Sequence, residues 1–177
     1  MKKTLILCGS PRRNGDTASL LHQLIPLLDG EVNVEYVFEN GIGSCRDCRA
    51  CRKQRGCVLN DGAERLYTLI EECDNVLIAS PVWYGSLTGR LMEVMSRLQT
   101  YFSARAFRGE ELLQPKKGGI LLTAGGCGGG ENAVATARIL LKSMNAVQIF
   151  TPILHLQTDT VRPDAEGLPQ LAKFFNE

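Results

Sequence analysis

The sequence lacks a charge imbalance and any long apolar run. Its 20 Lys and Arg residues against 19 Asp and Glu residues give a formal net charge of +1. General attraction to nucleic acid or to an acidic membrane surface is therefore not indicated. No stretch approaches the roughly 20 apolar residues that a membrane-spanning helix needs. The apolar run that follows Lys2 and Lys3 is interrupted at residues 9–11 and is too short for a secretory signal. We therefore expect a cytoplasmic protein that binds neither nucleic acid nor membrane.

Catalytic side chains are also scarce. There are only two histidines, His22 and His155, and neither has a partner in the sequence pattern. No arrangement of nucleophile, base and orienting group typical of a hydrolase appears. We therefore predict no catalytic side chain.

Strand and helix patterns alternate along a chain of 177 residues, a length that suits one domain with a full core. This alternation predicts an α/β fold with a doubly wound parallel sheet covered by helices on both faces. We expect a single domain over residues 1–177, with a cysteine-rich insertion loop at about residues 41–61. The strands are predicted at about residues 3–8, 32–38, 76–79 and 118–123 and within 147–156. The helices are predicted at about residues 17–28, 63–73, 88–102, 131–145 and 164–175.

The loop after the first predicted strand has the composition of a phosphate site. The first amides of the following helix have no internal partner and carry the positive end of its dipole. Ser10, Thr17 and Ser19 add hydroxyl groups, and Arg12 and Arg13 add positive charge. This combination is typical of a site that binds phosphate.

Three better-defined phosphate loops are excluded by their missing residues. Counted from Gly9, a Walker loop needs a Gly-Lys pair and then a hydroxyl residue where this chain has Asn14, Gly15 and Asp16. The dinucleotide pattern G-x-G-x-x-G is absent. A small-phosphatase loop starting at Cys8 would need Arg at Asn14. The remaining interpretation is a hydroxyl-rich loop for one terminal phosphate. The alternative is a helix capped by Asp16 or Thr17 without a ligand.

Two further loops are predicted at the same edge of the sheet, where doubly wound proteins bind ligands. The loop after the third strand carries the only tryptophan, Trp83, followed by Tyr84 and Gly85. The loop after the fourth strand, residues 124–130, is rich in glycine and offers free backbone amides. A phosphate pocket, an aromatic wall and an amide-rich wall together suit a mononucleotide with a planar ring.

At these motifs the chain resembles the flavodoxin-like NAD(P)H-dependent FMN reductase family, over nearly its whole length. The motifs are residues 9–12, Thr17 and residues 81–85. The resemblance implies a three-layer α/β/α flavodoxin-like fold, a five-stranded sheet of order 2-1-3-4-5, and bound FMN. Asp16 is a departure, because relatives often carry Asn there. By the resemblance, the FMN phosphate would be held by Ser10, Arg12, Asn14, Thr17 and Ser19. The flavin ring would be flanked by Pro81, Val82, Trp83, Tyr84, Gly85, Thr123 and Gly125.

Four of the seven cysteines form a compact C-x2-C-x2-C-x5-C segment: Cys45, Cys48, Cys51 and Cys57. An odd cysteine count without a signal sequence argues against a secreted disulfide framework. Closely spaced thiolates surrounded by basic residues suit a 4Fe-4S cluster. Zinc and metal-free redox thiols are the alternatives. The segment resembles the iron-sulfur flavoprotein branch of the family, which carries a 4Fe-4S cluster at this spacing.

The predicted function is that of an FMN-dependent oxidoreductase. Electrons would pass from NAD(P)H or a reduced redox protein such as ferredoxin to an acceptor, through the cluster if it is bound. One alternative is an electron-carrier flavoprotein with no small-molecule substrate, and another is a thiol or metal redox sensor. The resemblance implies a homodimer or homotetramer. A redox role for Cys127, in the glycine-rich loop, is left open.

Overall fold

A parallel β-sheet forms the centre of the structure, a computed structural model that describes residues 1–126, 128–160 and 163–177. Cys127 therefore lies outside the described residues. The strands are β1 Lys3–Cys8, β2 Glu31–Tyr36, β3 Asn75–Trp83, β4 Ser86–Leu87, β5 Lys116–Thr123, β6 Ala146–Ile149 and β7 Ile153–His155.

The helices that cover this sheet are α1 Asp16–Leu24, α2 Ala63–Glu72, α3 Gly89–Met95, α4 Gln99–Ser103, α5 Glu131–Ser143 and α6 Leu168–Asn176. The helix predicted over residues 88–102 is divided into α3 and α4 by a 3-10 turn at Ser96–Leu98. A π-helix, Ala104–Arg108, continues α4. Among the described residues, no helix has the length and apolar character needed to cross a membrane.

Within the residues that the structure describes, the sheet has seven strands, so the predicted count of five and the predicted order 2-1-3-4-5 are corrected. The order is β2-β1-β3-β5-β6, with β4 paired to β3 and β7 paired to β5. The short β4 is antiparallel to β3 because the chain reverses directly after Trp83. The predicted last strand is split around residues 150–152. Pro152 has no N–H to donate to a ladder, and β6 and β7 pair with opposite ends of β5.

Side chains that alternate along the strands build a core on each face of the sheet. On β1, Leu5 and Leu7 belong to one apolar cluster, and Ile6 and Cys8 belong to the other. This alternation follows from the two-residue period of a strand. The first cluster includes side chains from α2, α3, α4 and α5, and the second includes side chains from α1 and α6. The predicted parallel sheet with helices on both faces is therefore confirmed.

Strand register brings the carboxyl ends of β1, β3, β5 and β7 to one edge. The Gly9 amide donates to the carbonyl oxygen of Ala79 at 2.7 Å, and the Ala124 amide donates to that of His155 at 2.8 Å. Pro81 is in register with Thr123. The loops that follow these strands therefore meet at this edge.

Candidate functional site

A cavity of about 230 Å³ lies at this edge of the sheet. It is lined by the loop after β1 and the start of α1, by the carboxyl ends of β3 and β5 with Gly125, and by the segment after β7. The predicted convergence of these strand ends is therefore seen. The lining residues are Ser10, Pro11, Arg12, Asp16, Thr17, Pro81, Val82, Trp83, Thr123, Gly125, Thr158 and Asp159.

Two buried hydroxyl groups hold the loops together at this cavity. The Thr17 and Thr123 side-chain oxygens lie 2.8 Å apart, and one donates a hydrogen bond to the other. Thr17 is in the first turn of α1, and Thr123 is the last residue of β5. Only one of the two hydroxyl protons is used in this bond, so the other is available for a ligand oxygen.

The loop between β1 and α1 is closed by its own hydrogen bonds. Ser10 Oγ accepts a hydrogen bond from the Arg12 amide at 3.2 Å and lies 3.2 Å from the Arg12 carbonyl oxygen, to which it can donate. The N-cap of α1 is Gly15, and no side chain caps the helix. The alternative that Asp16 or Thr17 serves as a side-chain cap is therefore wrong. Because neither side chain caps the helix, its first amides keep their capacity to bind an anion.

Several residues of this loop lie apart from the cavity. Asn14 and Ser19 are exposed and do not line it. Arg13 is ion-paired with Glu39, and its guanidinium lies 3.3 Å from the centroid of the Tyr36 ring. Of the two arginines in the loop, Arg12 is the one that lines the cavity. The acidic Asp16 also lines it, so its charge opposes that of Arg12.

The aromatic wall of the cavity is formed by Trp83 and not by Tyr84. Strand β3 extends to Trp83, four residues beyond the predicted end, and pairs Trp83 with Ser86. The turn between them has positive φ at Tyr84 (51°) and Gly85 (73°), the backbone that two-residue hairpins favour. Trp83 is 46% exposed and contacts Phe38 edge to face, with ring centroids 6.4 Å apart. Tyr84 and Gly85 do not line the cavity, and the Tyr84 side chain is fully exposed.

Sequence analysis missed the segment after β7, which contributes Thr158 and Asp159 to the cavity. The Thr158 amide donates to the Ala124 carbonyl oxygen at 3.0 Å. Gly125 lies against the Asp159 carboxylate, and a Cβ atom at Gly125 would come within 2.4 Å of Asp159 Oδ2. The sequence signal for these two residues was their position just after the last strand. The carboxyl end of β7 lies beside that of β5, at the edge where the cavity forms.

A second cavity, of about 40 Å³, is lined by all four cysteines of the predicted metal segment. Among the described residues, no three His, Cys, Asp or Glu side chains lie close enough to share one metal ion. Four thiols that line one cavity are the donor set that a 4Fe-4S cluster takes. The cysteines are Cys45, Cys48, Cys51 and Cys57.

Hydrogen bonds hold this cysteine segment against α4 and its flanking turns. The Cys45 amide donates to Ser96 Oγ at 2.8 Å, and Cys51 Sγ lies 3.3 Å from Ser103 Oγ. Arg108 donates to the Cys51 carbonyl oxygen. The cavity therefore lies between the cysteine loop and the helical residues 97–103.

An ion pair between the buried Arg97 and the partly buried Asp61 connects both ends of the cysteine segment. Arg97, whose side chain is 1% exposed, donates to the two carboxylate oxygens of Asp61 at 2.6 and 3.2 Å. It also donates to the Gly43 carbonyl oxygen at 3.1 Å. Burial raises the pKa of Asp61, but the hydrogen bonds from Arg97 and the Gly43 amide outweigh it and hold that pKa below 3.8. Arg97 was missed in the sequence, although it stands three residues after Val94 on the buried stripe of the helix.

The fold and the first cavity define a class of protein: a flavodoxin-like sheet with a ligand-sized pocket at its carboxyl edge. The chain belongs to the NADPH-dependent FMN reductase family, whose model matches residues 2–160. The predicted family is thereby confirmed.

Curated relatives fall into two groups. The chain is 27% identical over 150 residues to an iron-sulfur flavoprotein of Archaeoglobus fulgidus, covering 83% of this chain and 66% of that protein. It is 26% identical over 174 residues to an NADPH azoreductase of Bacillus sp. (strain OY1-2), covering 94% and 85%. The chain thus spans about two thirds of the length of the first of these relatives.

Solved structures share the fold. FerB, a flavoenzyme NAD(P)H:(acceptor) oxidoreductase from Paracoccus denitrificans, has a TM-score of 0.70 at 20% identity, over 99% of this chain and 95% of that one. An azoreductase from Bacillus anthracis has a TM-score of 0.70 at 17% identity, over 99% of each chain. The predicted flavodoxin-like fold is confirmed.

Proposed function

We propose that the chain is an FMN-dependent oxidoreductase that takes electrons from NAD(P)H or a reduced redox protein and passes them to an acceptor. The observation that carries this proposal is the buried Thr17–Thr123 hydroxyl pair at the start of α1. It stands in a cavity bordered by Trp83 at the carboxyl edge of the sheet. A phosphate would bind at Thr17 and the start of α1, and a planar ring would lie between the aromatic wall and Thr123.

The phosphate end of FMN would be held by Ser10, Arg12 and Thr17, together with the first amides of α1. These three side chains line the cavity. Asn14 and Ser19 enter the proposal through the family resemblance alone, because both are exposed outside the cavity lining. Hydrogen bonds from charged and hydroxyl donors to a phosphate are among the strong ones.

The ring end would lie between the β3 edge and the loop after β5. Pro81, Val82 and Trp83 would bound one side, and Thr123 and Gly125 would bound the other. Tyr84 and Gly85 would contribute through the hairpin turn that sets the position of Trp83. When bound, FMN accepts hydride from a nicotinamide or single electrons from a redox protein. The chain's own residues bind the ring, orient it and limit its contact with water.

We also propose that the four cysteines hold a 4Fe-4S cluster. Two observations support this: all four side chains line one cavity, and several curated relatives are named iron-sulfur flavoproteins. The ligands would be Cys45, Cys48, Cys51 and Cys57. The single domain over residues 1–177, the homodimer or homotetramer and the cytoplasmic location belong to the same proposal.

The test is anaerobic purification followed by flavin, iron and sulfide analysis and an assay of NADH and NADPH oxidation. A benzoquinone and an azo dye would serve as acceptors. The proposal expects acceptor-dependent nicotinamide oxidation that is lost when FMN is removed and restored when it is added back. Nicotinamide oxidation that is unaffected by FMN removal would contradict it.

A protein electron carrier is the second candidate function. Basic residues surround the cysteines, and an acidic redox protein would be attracted to such a surface. Reduction of the flavin by reduced ferredoxin, without any oxidation of NADH or NADPH, would favour this candidate. The basic residues are Arg46, Arg49, Arg52, Lys53 and Arg55.

A further inference from the structure

Three polar residues repeat at three-residue intervals beneath the cysteine cavity: Arg97, Thr100 and Ser103. All three are buried and all three line the cavity. They lie on the 3-10 turn Ser96–Leu98 and on α4, and a spacing of three residues puts neighbouring side chains on one helical face. A row of polar groups on the buried face of a helix needs partners.

Ser103 has its partner, which is a cysteine. Its hydroxyl oxygen lies 3.3 Å from Cys51 Sγ, and the thiol donates the hydrogen bond. When Cys51 is a thiolate, the sulfur can only accept, so the Ser103 hydroxyl becomes the donor. This row of side chains is therefore suited to donate to sulfur.

Arg97 and Thr100 each have a polar atom without a partner. Within residues 1–126, 128–160 and 163–177, Arg97 Nε and Thr100 Oγ1 are buried and make no hydrogen bond. The other guanidinium nitrogens of Arg97 bind Asp61 and the Gly43 carbonyl oxygen. Buried donors in native proteins are nearly always satisfied, so an acceptor is expected in the cavity that both side chains line.

We propose that Arg97 Nε and Thr100 Oγ1 donate hydrogen bonds to the sulfur atoms of a 4Fe-4S cluster held by the four cysteines, and thereby raise its reduction potential. This inference rests on the cluster assignment in the proposed function. The sulfides and thiolates of such a cluster are acceptors that carry negative charge. Reduction adds one electron to that charge, so donors stabilise the reduced form more than the oxidised form.

Asp61 restricts how Arg97 acts. Its carboxylate offsets the guanidinium charge, so the contribution expected from Arg97 is mainly that of one directed donor. Thr100 is neutral and contributes in the same way. Neither residue would bind iron.

The test is an electrochemical titration, monitored by electron paramagnetic resonance, of the anaerobically reconstituted full chain. Thr100→Val keeps the shape of the side chain, removes the hydroxyl and leaves the Arg97–Asp61 pair intact. We expect about a tenfold lower ratio of reduced to oxidised cluster at a fixed potential, equivalent to about 59 mV for one electron. Arg97→Lys, which keeps a charge for Asp61 but removes Nε, should shift the potential in the same direction.

The matched control is Thr68→Val on α2. The Thr68 hydroxyl donates to the Glu64 carbonyl oxygen, is exposed and does not line the cavity, so the potential should stay unchanged. Loss of iron from Thr100→Val but not from Thr68→Val, with unchanged circular dichroism, also supports a contact between Thr100 and the cluster. An unchanged potential in Thr100→Val with full iron content overturns the inference and leaves the cluster assignment standing. A wild-type chain that binds flavin but no iron overturns both.

Discussion

The side-chain oxygens of Thr17 and Thr123 lie 2.8 Å apart, although 106 residues separate them in the sequence. Both residues are buried, at 2% exposure each. Their hydrogen bond joins the start of α1, where we propose that the phosphate binds, to the end of β5, which we propose borders the flavin ring. The geometry of the proposed FMN site therefore depends on this pair.

Removing one member of the pair should weaken FMN binding. Thr17→Val keeps the side-chain shape but deletes a hydroxyl that lines the cavity. A hydrogen bond to a charged group contributes about 1.5–3 kcal/mol, so the Kd for FMN should rise about 10- to 100-fold. Quenching of flavin fluorescence in a titration of the apoprotein measures it.

Thr68→Val is the control for Thr17→Val, because it makes the same change elsewhere. Thr68 is on α2, is exposed and does not line the cavity, so the Kd should change less than about threefold. Equal losses in the two variants would contradict the placement of the phosphate at Thr17.

Two neighbouring glycines give a second test of the cavity. In Gly125→Ala, the new Cβ atom would lie 2.4 Å from Asp159 Oδ2, so the Asp159 side chain must move. In Gly126→Ala, no such contact exists within 4 Å. We expect the Kd for FMN to rise about tenfold in the first variant, by the affinity scale of about 1.4 kcal/mol per tenfold, and to stay near the wild-type value in the second. A larger rise in the Kd for FMN in Gly126→Ala than in Gly125→Ala would place the ring away from the Gly125–Asp159 contact.

The buried Arg97–Asp61 pair should dominate the stability of the cysteine segment. Asp61→Asn leaves the guanidinium buried without a countercharge, which typically costs about 3–5 kcal/mol. Urea denaturation of the purified protein measures this loss in the free energy of unfolding. Asp47→Asn is the control, because the Asp47–Arg49 pair is exposed and surface pairs contribute about 0–1 kcal/mol.

The Arg97–Asp61 pair also predicts how the stability of the protein depends on pH. The pKa of Asp61 is lower in the folded protein than its ordinary value of 3.8. Its stabilising contribution is therefore complete above pH 3.8 and is lost as the pH falls through the folded-state pKa. The difference in stability between the wild type and Asp61→Asn should shrink below pH 3.8. A difference that grows on acidification would contradict the ion pair.

Removing one cysteine should separate the two proposed cofactors. Cys48→Ser should abolish the iron signal of anaerobically purified protein and leave FMN bound at about one per chain, because the two cavities share no lining residue. Cys73→Ser is the control, since Cys73 is buried, its thiol donates to the Ile70 carbonyl oxygen, and it does not line the cysteine cavity. Iron content by colorimetric assay and flavin by absorbance are the measurements. Full iron content in Cys48→Ser would remove the cluster assignment.

The sheet and most of the cavity could be predicted because they follow from local patterns. Strand-like and helix-like segments alternate in the sequence, and parallel strands bring their carboxyl ends to one edge. Ser10, Thr17 and Trp83 were found in this way, and all three line the cavity. The location of loops at strand ends is thus readable from the sequence.

Individual side-chain directions were less predictable, because they depend on turn geometry and tertiary contacts. Tyr84 is adjacent to Trp83, yet it lies in the hairpin turn with a positive φ, and its side chain faces solvent. Asp159 reaches the cavity because the segment after β7 bonds to the backbone of the loop after β5. Arg97 is a charged residue on a buried stripe, and only the fold shows that Asp61 is its partner.

The most direct test of the account is a titration of the flavin-free protein with FMN, followed by the change in flavin fluorescence. The account predicts saturation at one FMN per chain, with weaker binding of riboflavin because it lacks the phosphate. Failure to bind FMN, or equal affinity for FMN and riboflavin, would contradict a phosphate held at Thr17 and the start of α1.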